Sequence, residues 1–132
     1  MSSMASLAGS SYQAVYAATK AFDAILAEGL WHELAPEGVD VLGVLAGATR
    51  TETVLHANEK FADAMDPDEV VVGALDHIGK GPTWVPGAAN QAAARGISPT
   101  PRVAIINGMS QAGAALFDLE HTPVAGIEYH EA

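Results

Sequence analysis

The sequence predicts an α/β fold built on a parallel sheet. Helix-length and strand-length segments alternate along the chain, in the order helix, strand, helix, strand, helix. The clearest strand candidate is nearly continuous in apolar residues, as parallel strands covered on both faces are. Alanine, glycine, serine and valine dominate, and small residues let helices lie close to a sheet. With 132 residues, 49% of them apolar and 17% charged, the chain has the composition of one core-forming domain and not of a disordered segment.

The elements follow in order. Residues 11–34 read as a helix. Val15, Thr19, Phe22, Ile25 or Leu26, and Leu30 recur at spacings of three and four, alanines fill the gaps, and Pro36 and Gly38 stop it. Ser10 and Ser11 are expected to cap its start. Residues 39–45 read as a buried strand that Ala46-Gly47-Ala48 ends. Residues 51–65 are mixed and are expected to form a loop with one or two short helices. Asp66-Pro67-Asp68-Glu69 is a helix start: Asp66 can cap, Pro67 suits the first turn, and the acids oppose the positive end of the helix dipole. That helix should run to about residue 78 and stop at Gly79. Residues 82–86 read as a short strand, and helices are expected over 88–95 and 102–119. Two strands are too few for a doubly wound sheet.

Charge and composition exclude several classes of function. Six basic against 16 acidic residues give a formal net charge of −10. A strongly acidic protein is a poor partner for polyanions, so neither nucleic acid nor an anionic membrane is expected. No cysteine is present, which removes disulfides, thiolate metal sites and cysteine nucleophiles. The first residues carry no basic region followed by an apolar core, and no run of about 18 apolar residues suggests a membrane span. A cytoplasmic protein is the expectation.

The chemistry centres on Tyr16-Ala17-Ala18-Thr19-Lys20. Residues four apart on a helix lie on one face, one turn apart. A phenol, with a pKa of about 10, is a poor acid or base at neutral pH, but a neighbouring ammonium favours the phenolate. The pair can then move a proton to or from an alcohol or carbonyl oxygen. Ser3 lies thirteen positions before Tyr16. Its hydroxyl beside that oxygen would stabilise developing negative charge.

Together these residues resemble the active-site segment of the short-chain dehydrogenase/reductase family. The resemblance rests on Ser2-Ser3-Met4-Ala5-Ser6, the serine-to-tyrosine spacing, and Tyr16-Ala17-Ala18-Thr19-Lys20-Ala21-Phe22. Ala46-Gly47-Ala48-Thr49-Arg50-Thr51 is similar to the family's Pro-Gly-x-x-x-Thr cofactor loop, with Ala46 where proline is usual. Residues 79–87 resemble the segment around its last strand. The resemblance implies a Rossmann-like doubly wound sheet, of which residues 1–132 would be the carboxyl-terminal, catalytic half. It implies NAD or NADP as cofactor and a small-molecule alcohol or carbonyl as substrate. Tyr16 would be the catalytic acid/base. Lys20 would tune it and hold the nicotinamide ribose, and Ser3 would polarise the substrate oxygen. Gly47, Thr49 and Thr51 would line the cofactor, with Gly47 allowing close approach. Tyr12 and Gln13 can face the substrate in the same layout. The family's Gly-rich dinucleotide turn has no counterpart before Ser3, and its upstream asparagine none among Asn58, Asn90 and Asn107. The alternative expectation is therefore a non-catalytic remnant that keeps an oligomerisation surface but binds no dinucleotide. A homo-oligomer is expected in either case.

Other sites are weaker. Gly73 to Lys80 has five residues between its glycines and Gly81 after the lysine, so it fails the phosphate-loop pattern and reads as a helix end. His32, His56, His77, His121 and His130 show no metal-binding spacing. No Gly-x-Ser-x-Gly elbow is present. Trp84 reads as core, and Asp23, Glu28 and Glu33 as a solvated helix face.

Overall fold

A computed structural model describes residues 1–52, 64–121 and 123. Three short parallel strands form one sheet in the order β1-β2-β3: β1 Ser2–Ser3, β2 Gly43–Ala46 and β3 Thr83–Trp84. Helices α1 (Ala14–Leu34), α2 (Pro67–His77), α3 (Ala88–Ile97) and α4 (Arg102–Leu116) accompany it, with 3-10 turns at Met4–Leu7 and Ala35–Glu37. The α/β class and the parallel sheet are as the sequence implies. The strand at Ser2–Ser3 adds to the two expected, because two small polar residues carry no strand periodicity.

The strands are shorter than their apolar runs. β2 starts at Gly43, whose N–H donates to Pro82 O at 2.8 Å, and Val39 at the head of the run is exposed. A ladder extends only as far as its neighbours do, and β1 and β3 reach β2 only over residues 43–46. Within that stretch Val44 and Leu45 are buried, as a central parallel strand requires.

α1 packs on the sheet through its small residues. Ala17 and Ala24 are buried, and a Cβ at Gly43 would lie 3.1 Å from Cβ of Ala27. The large apolar residues that set the helical periodicity point away: Val15 is 80% exposed, and Phe22 and Ile25 are each 67% exposed. The periodic stripe thus marks the outer face, and a close helix–sheet approach selects alanine for the inner one. Ser2 Oγ donates to Lys20 O at 2.7 Å and ties β1 to the second turn of α1.

The start of α1 also differs from the sequence reading. Its N-cap is Gln13, without a side-chain capping bond, so Ser10 and Ser11 do not cap. At α2 the expectation holds: Asp66 Oδ1 accepts from Asp68 N at 2.9 Å and Pro67 occupies the first turn. Gly73 lies inside α2 because the Trp84 indole occupies the space its Cβ would need. That indole stacks on the His77 ring, centroids 4.5 Å apart at 20°, which makes Trp84 a packing residue. The loop and short helices expected over 51–65 lie mostly outside the described residues. Among those residues no helix is long and apolar enough to cross a membrane.

Candidate active site

The carboxyl ends of adjacent parallel strands are where open α/β sheets bind ligands. β1 ends at Ser3 and β2 at Ala46, and the two residues are partners in the ladder. Ser3 therefore stands beside the residue that precedes Gly47. Its Oγ accepts from Ala5 N at 3.1 Å and caps the 3-10 turn that follows. That bond uses a lone pair and leaves the hydroxyl proton to donate.

Tyr16 and Lys20 occupy the first two turns of α1, which packs on β1 and on the turn after it. The Lys20 ammonium lies 5.9 Å from the centroid of the Tyr16 ring. Nζ donates to Asp23 Oδ2 at 2.9 Å and to Met1 O at 3.0 Å. An ammonium has three donors, so among the described residues one remains for a ligand hydroxyl. The hydrogen bond to Asp23 and its charge hold the Lys20 pKa above the usual ammonium range, against a smaller opposing effect of burial. The same bond holds Asp23 below the usual carboxylate range. Asp23 is thus a partner of the candidate site and not merely part of a solvated face. The phenol ring of Tyr16 is half exposed.

Gly47, Thr49 and Thr51 share the loop that leaves β2. Thr49 Oγ1 donates to Gly47 O at 3.2 Å, and Thr51 N to Thr49 O at 2.7 Å. Thr49 bridges Met65, with Arg50 N donating to Met65 O at 2.8 Å and Met65 N to Ala48 O at 3.1 Å. The Arg50 guanidinium pairs with Asp66 Oδ2 at 2.5 Å. Asp66 therefore uses one oxygen to cap α2 and the other to hold the loop.

Sequence reasoning passed over Asn90. Its Nδ2 donates to Pro86 O at 2.9 Å and points at Met65 Sδ at 3.5 Å. A Cβ at Gly47 would fall 2.5 Å from Nδ2 and 2.7 Å from Oδ1 of this side chain. Gly47 is glycine, on this geometry, because Asn90 fills the space beside it. No local signal marks the pair, which is 43 residues apart in the chain. The Tyr12 hydroxyl donates to Glu120 O at 3.0 Å.

Ser3, Tyr16 and Lys20 are gathered on β1 and α1, and Gly47, Thr49 and Thr51 on the neighbouring strand end. Comparison with known proteins points to one family. Residues 1–62 match the family model described as short chain dehydrogenase. The chain is similar to the 7beta-hydroxysteroid dehydrogenase of Clostridium sardiniense, with 35% identity over 82 residues. That match covers 59% of this chain and 31% of the relative. The fold is similar to a solved structure described for the stereoselectivity of 7beta-hydroxysteroid dehydrogenase, with a TM-score of 0.73 and 28% identity. It covers 82% of this chain and 43% of that one, so the chain spans under half the length of either protein.

Proposed function

We propose, for a chain that belongs to the short-chain dehydrogenase/reductase family, that Ser3, Tyr16 and Lys20 serve an NAD(P)-dependent interconversion of an alcohol and a carbonyl compound. Residues 1–132 are read as one unit, the catalytic and carboxyl-terminal part of a Rossmann-type domain. The observation that carries the reading is the Lys20 ammonium over the Tyr16 ring, 5.9 Å from its centroid, on a helix packed against the strand that ends at Ser3.

The nicotinamide nucleotide, when bound, supplies or accepts the hydride. The chain's own residues handle the oxygen and its proton. In the reducing direction Tyr16 O–H gives its proton to the carbonyl oxygen, and the Lys20 charge stabilises the phenolate left behind. In the oxidising direction the phenolate takes the alcohol proton. Ser3 donates a hydrogen bond to the same oxygen and favours its developing charge. The third Lys20 donor is the group suited to a ribose hydroxyl. Gly47, Thr49 and Thr51 form the loop against the nucleotide, held in shape by Met65, Asp66 and Asn90.

The relatives' names extend the substrate reading to a secondary hydroxyl or ketone on a rigid ring system, of which a hydroxysteroid is the case to try first. The outward face of α1, with Val15, Phe22, Ile25 and Leu26 exposed, supports assembly of like chains through this helix.

The test is NADH and NADPH oxidation by the full chain with a panel of ketones that includes steroid ketones, beside Tyr16→Phe. Turnover that falls by about 100-fold or more in the variant, with unchanged circular dichroism, supports the reading. Equal rates in parent and variant contradict it.

A further inference from the structure

The segment between the 3-10 turn and α1 separates Ser3 from Tyr16, and it is held from the far end of the chain. Arg102 Nη1 donates to Leu7 O at 2.9 Å. Ser11 N donates to Ser110 Oγ at 2.8 Å, and Ser110 is 1% exposed. A Cβ at Gly113 would lie 3.2 Å from Ser11 O, so α4 passes close to this backbone. Beyond α4, Glu120 O receives the Tyr12 hydroxyl. Tyr12 itself has φ of 64°, a left-handed conformation that is costly for a residue with a side chain and persists where its surroundings impose it.

The next residue launches the helix. Gln13 O accepts from Ala17 N at 2.7 Å and forms the first turn, which carries Tyr16. Apolar packing holds one side of that turn: Ala17 is buried, and α1 packs against the 3-10 turn at Met4–Leu7. Beside that contact a cleft of about 190 Å³ lies between the turn and the preceding segment, lined by Ala14, Ala17, Ala18, Ser6 and Ala8, with Arg102 of α4 at its wall. The polar ties from α4 and the turn after it add a second hold, on the backbone at Leu7 and Ser11 and on the Tyr12 hydroxyl.

We propose that α4 and the turn after it act as a clamp that fixes the Tyr16 hydroxyl relative to Ser3, with Ser110 and Arg102 as positioning residues. The proposal rests on the acid/base reading of Tyr16. Neither residue touches the reacting atoms; each acts through the backbone of residues 7–13. A displacement of about 1 Å at a reacting group can cost about 100-fold in rate, so small losses of register here are visible in turnover.

The experiment uses the full chain with Ser110→Ala, Arg102→Ala and Arg102→Lys, read by amide hydrogen exchange and by steady-state kinetics. In Ser110→Ala the exchange of the Ser11 and Ala17 amides should rise about tenfold. The kcat should fall about tenfold or more while the KM for the nucleotide stays within about twofold. Arg102→Ala should lower kcat in the same way, and Arg102→Lys, which keeps a donor for Leu7 O, should recover most of it. A kcat within about twofold of the parent in Ser110→Ala and Arg102→Ala overturns the proposal, as does unchanged exchange at Ala17. A parent chain without turnover on any carbonyl defeats the acid/base reading alone. The clamp is then decided by the Ala17 amide, whose faster exchange in Ser110→Ala sustains it and whose unchanged exchange rejects it.

Discussion

The two arms of the candidate site are held together by different means. Tyr16 and Lys20 are spaced by one turn of a single helix, so their proximity is a local property. Gly47, Thr49 and Thr51 sit on a loop whose shape comes from residues far along the chain: Met65, Asp66 and Asn90. The spacing within the first arm is fixed by helix geometry, while its placement against Ser3 is tied to α4. The second is fixed by side chains that must all be in place. Chemistry is therefore expected to be lost through the helix, and cofactor affinity through the loop's supports.

The largest effect should come from the helix arm. Tyr16→Phe removes the proton carrier and should reduce turnover by about 100-fold or more while nucleotide affinity stays near that of the parent. The next tests the loop arm. Gly47→Ala forces a methyl onto the bound Asn90 side chain, and overpacking of this kind costs about 1–3 kcal/mol. Asn90→Ala combined with Gly47→Ala should restore stability and nucleotide affinity in large part. If the cofactor alone demands glycine at 47, the double variant will bind as poorly as the single one.

Asp66→Ala should have a smaller effect. It removes the α2 cap and the partner of Arg50 together, for about 1 kcal/mol in a denaturant titration. Nucleotide affinity should fall more than in a variant that disrupts another surface pair, such as Asp76→Asn. The smallest change is expected for Asp23→Asn. Lys20 is held above the usual ammonium range chiefly by its hydrogen bond to Asp23, so its pKa should fall in the variant, seen by NMR titration of the side chain. The sign of the linkage is set by both partners. The pair's contribution is complete through the neutral range. It is lost as pH rises through the raised Lys20 pKa, and as pH falls through the lowered Asp23 pKa. Because the pair is partly exposed to solvent, which screens it, the unfolding midpoint at neutral pH should move little.

How much was legible in the sequence follows the same division. The Tyr16–Lys20 pair and the Asp66 cap depend on spacings of a few residues and could be read directly. The serine cap expected for α1 fails because the helix starts only at Ala14, with Gln13 as its N-cap, beyond the reach of Ser10 and Ser11. The inner face of α1 was misleading for another reason. Periodicity registers hydrophobicity, whereas packing on Gly43 and its neighbours selects for size, so alanine faces in and Phe22 and Ile25 face out. β1 gave no pattern at all, since a two-residue strand of serines has neither length nor alternation. Asn90 and Arg50 were invisible as supports because the groups they hold, Gly47 and Met65 for one and Asp66 for the other, lie across the fold and not along an element.

The central claim is that this chain assembles a nicotinamide nucleotide site from α1 and the loop after β2. Titration of the purified full chain with NADH and NADPH, followed by nicotinamide fluorescence, tests it most directly. Saturable binding of at least one of the two is expected, weakened in Gly47→Ala and recovered in Gly47→Ala with Asn90→Ala. A folded chain that leaves the fluorescence of both nucleotides unchanged would contradict it.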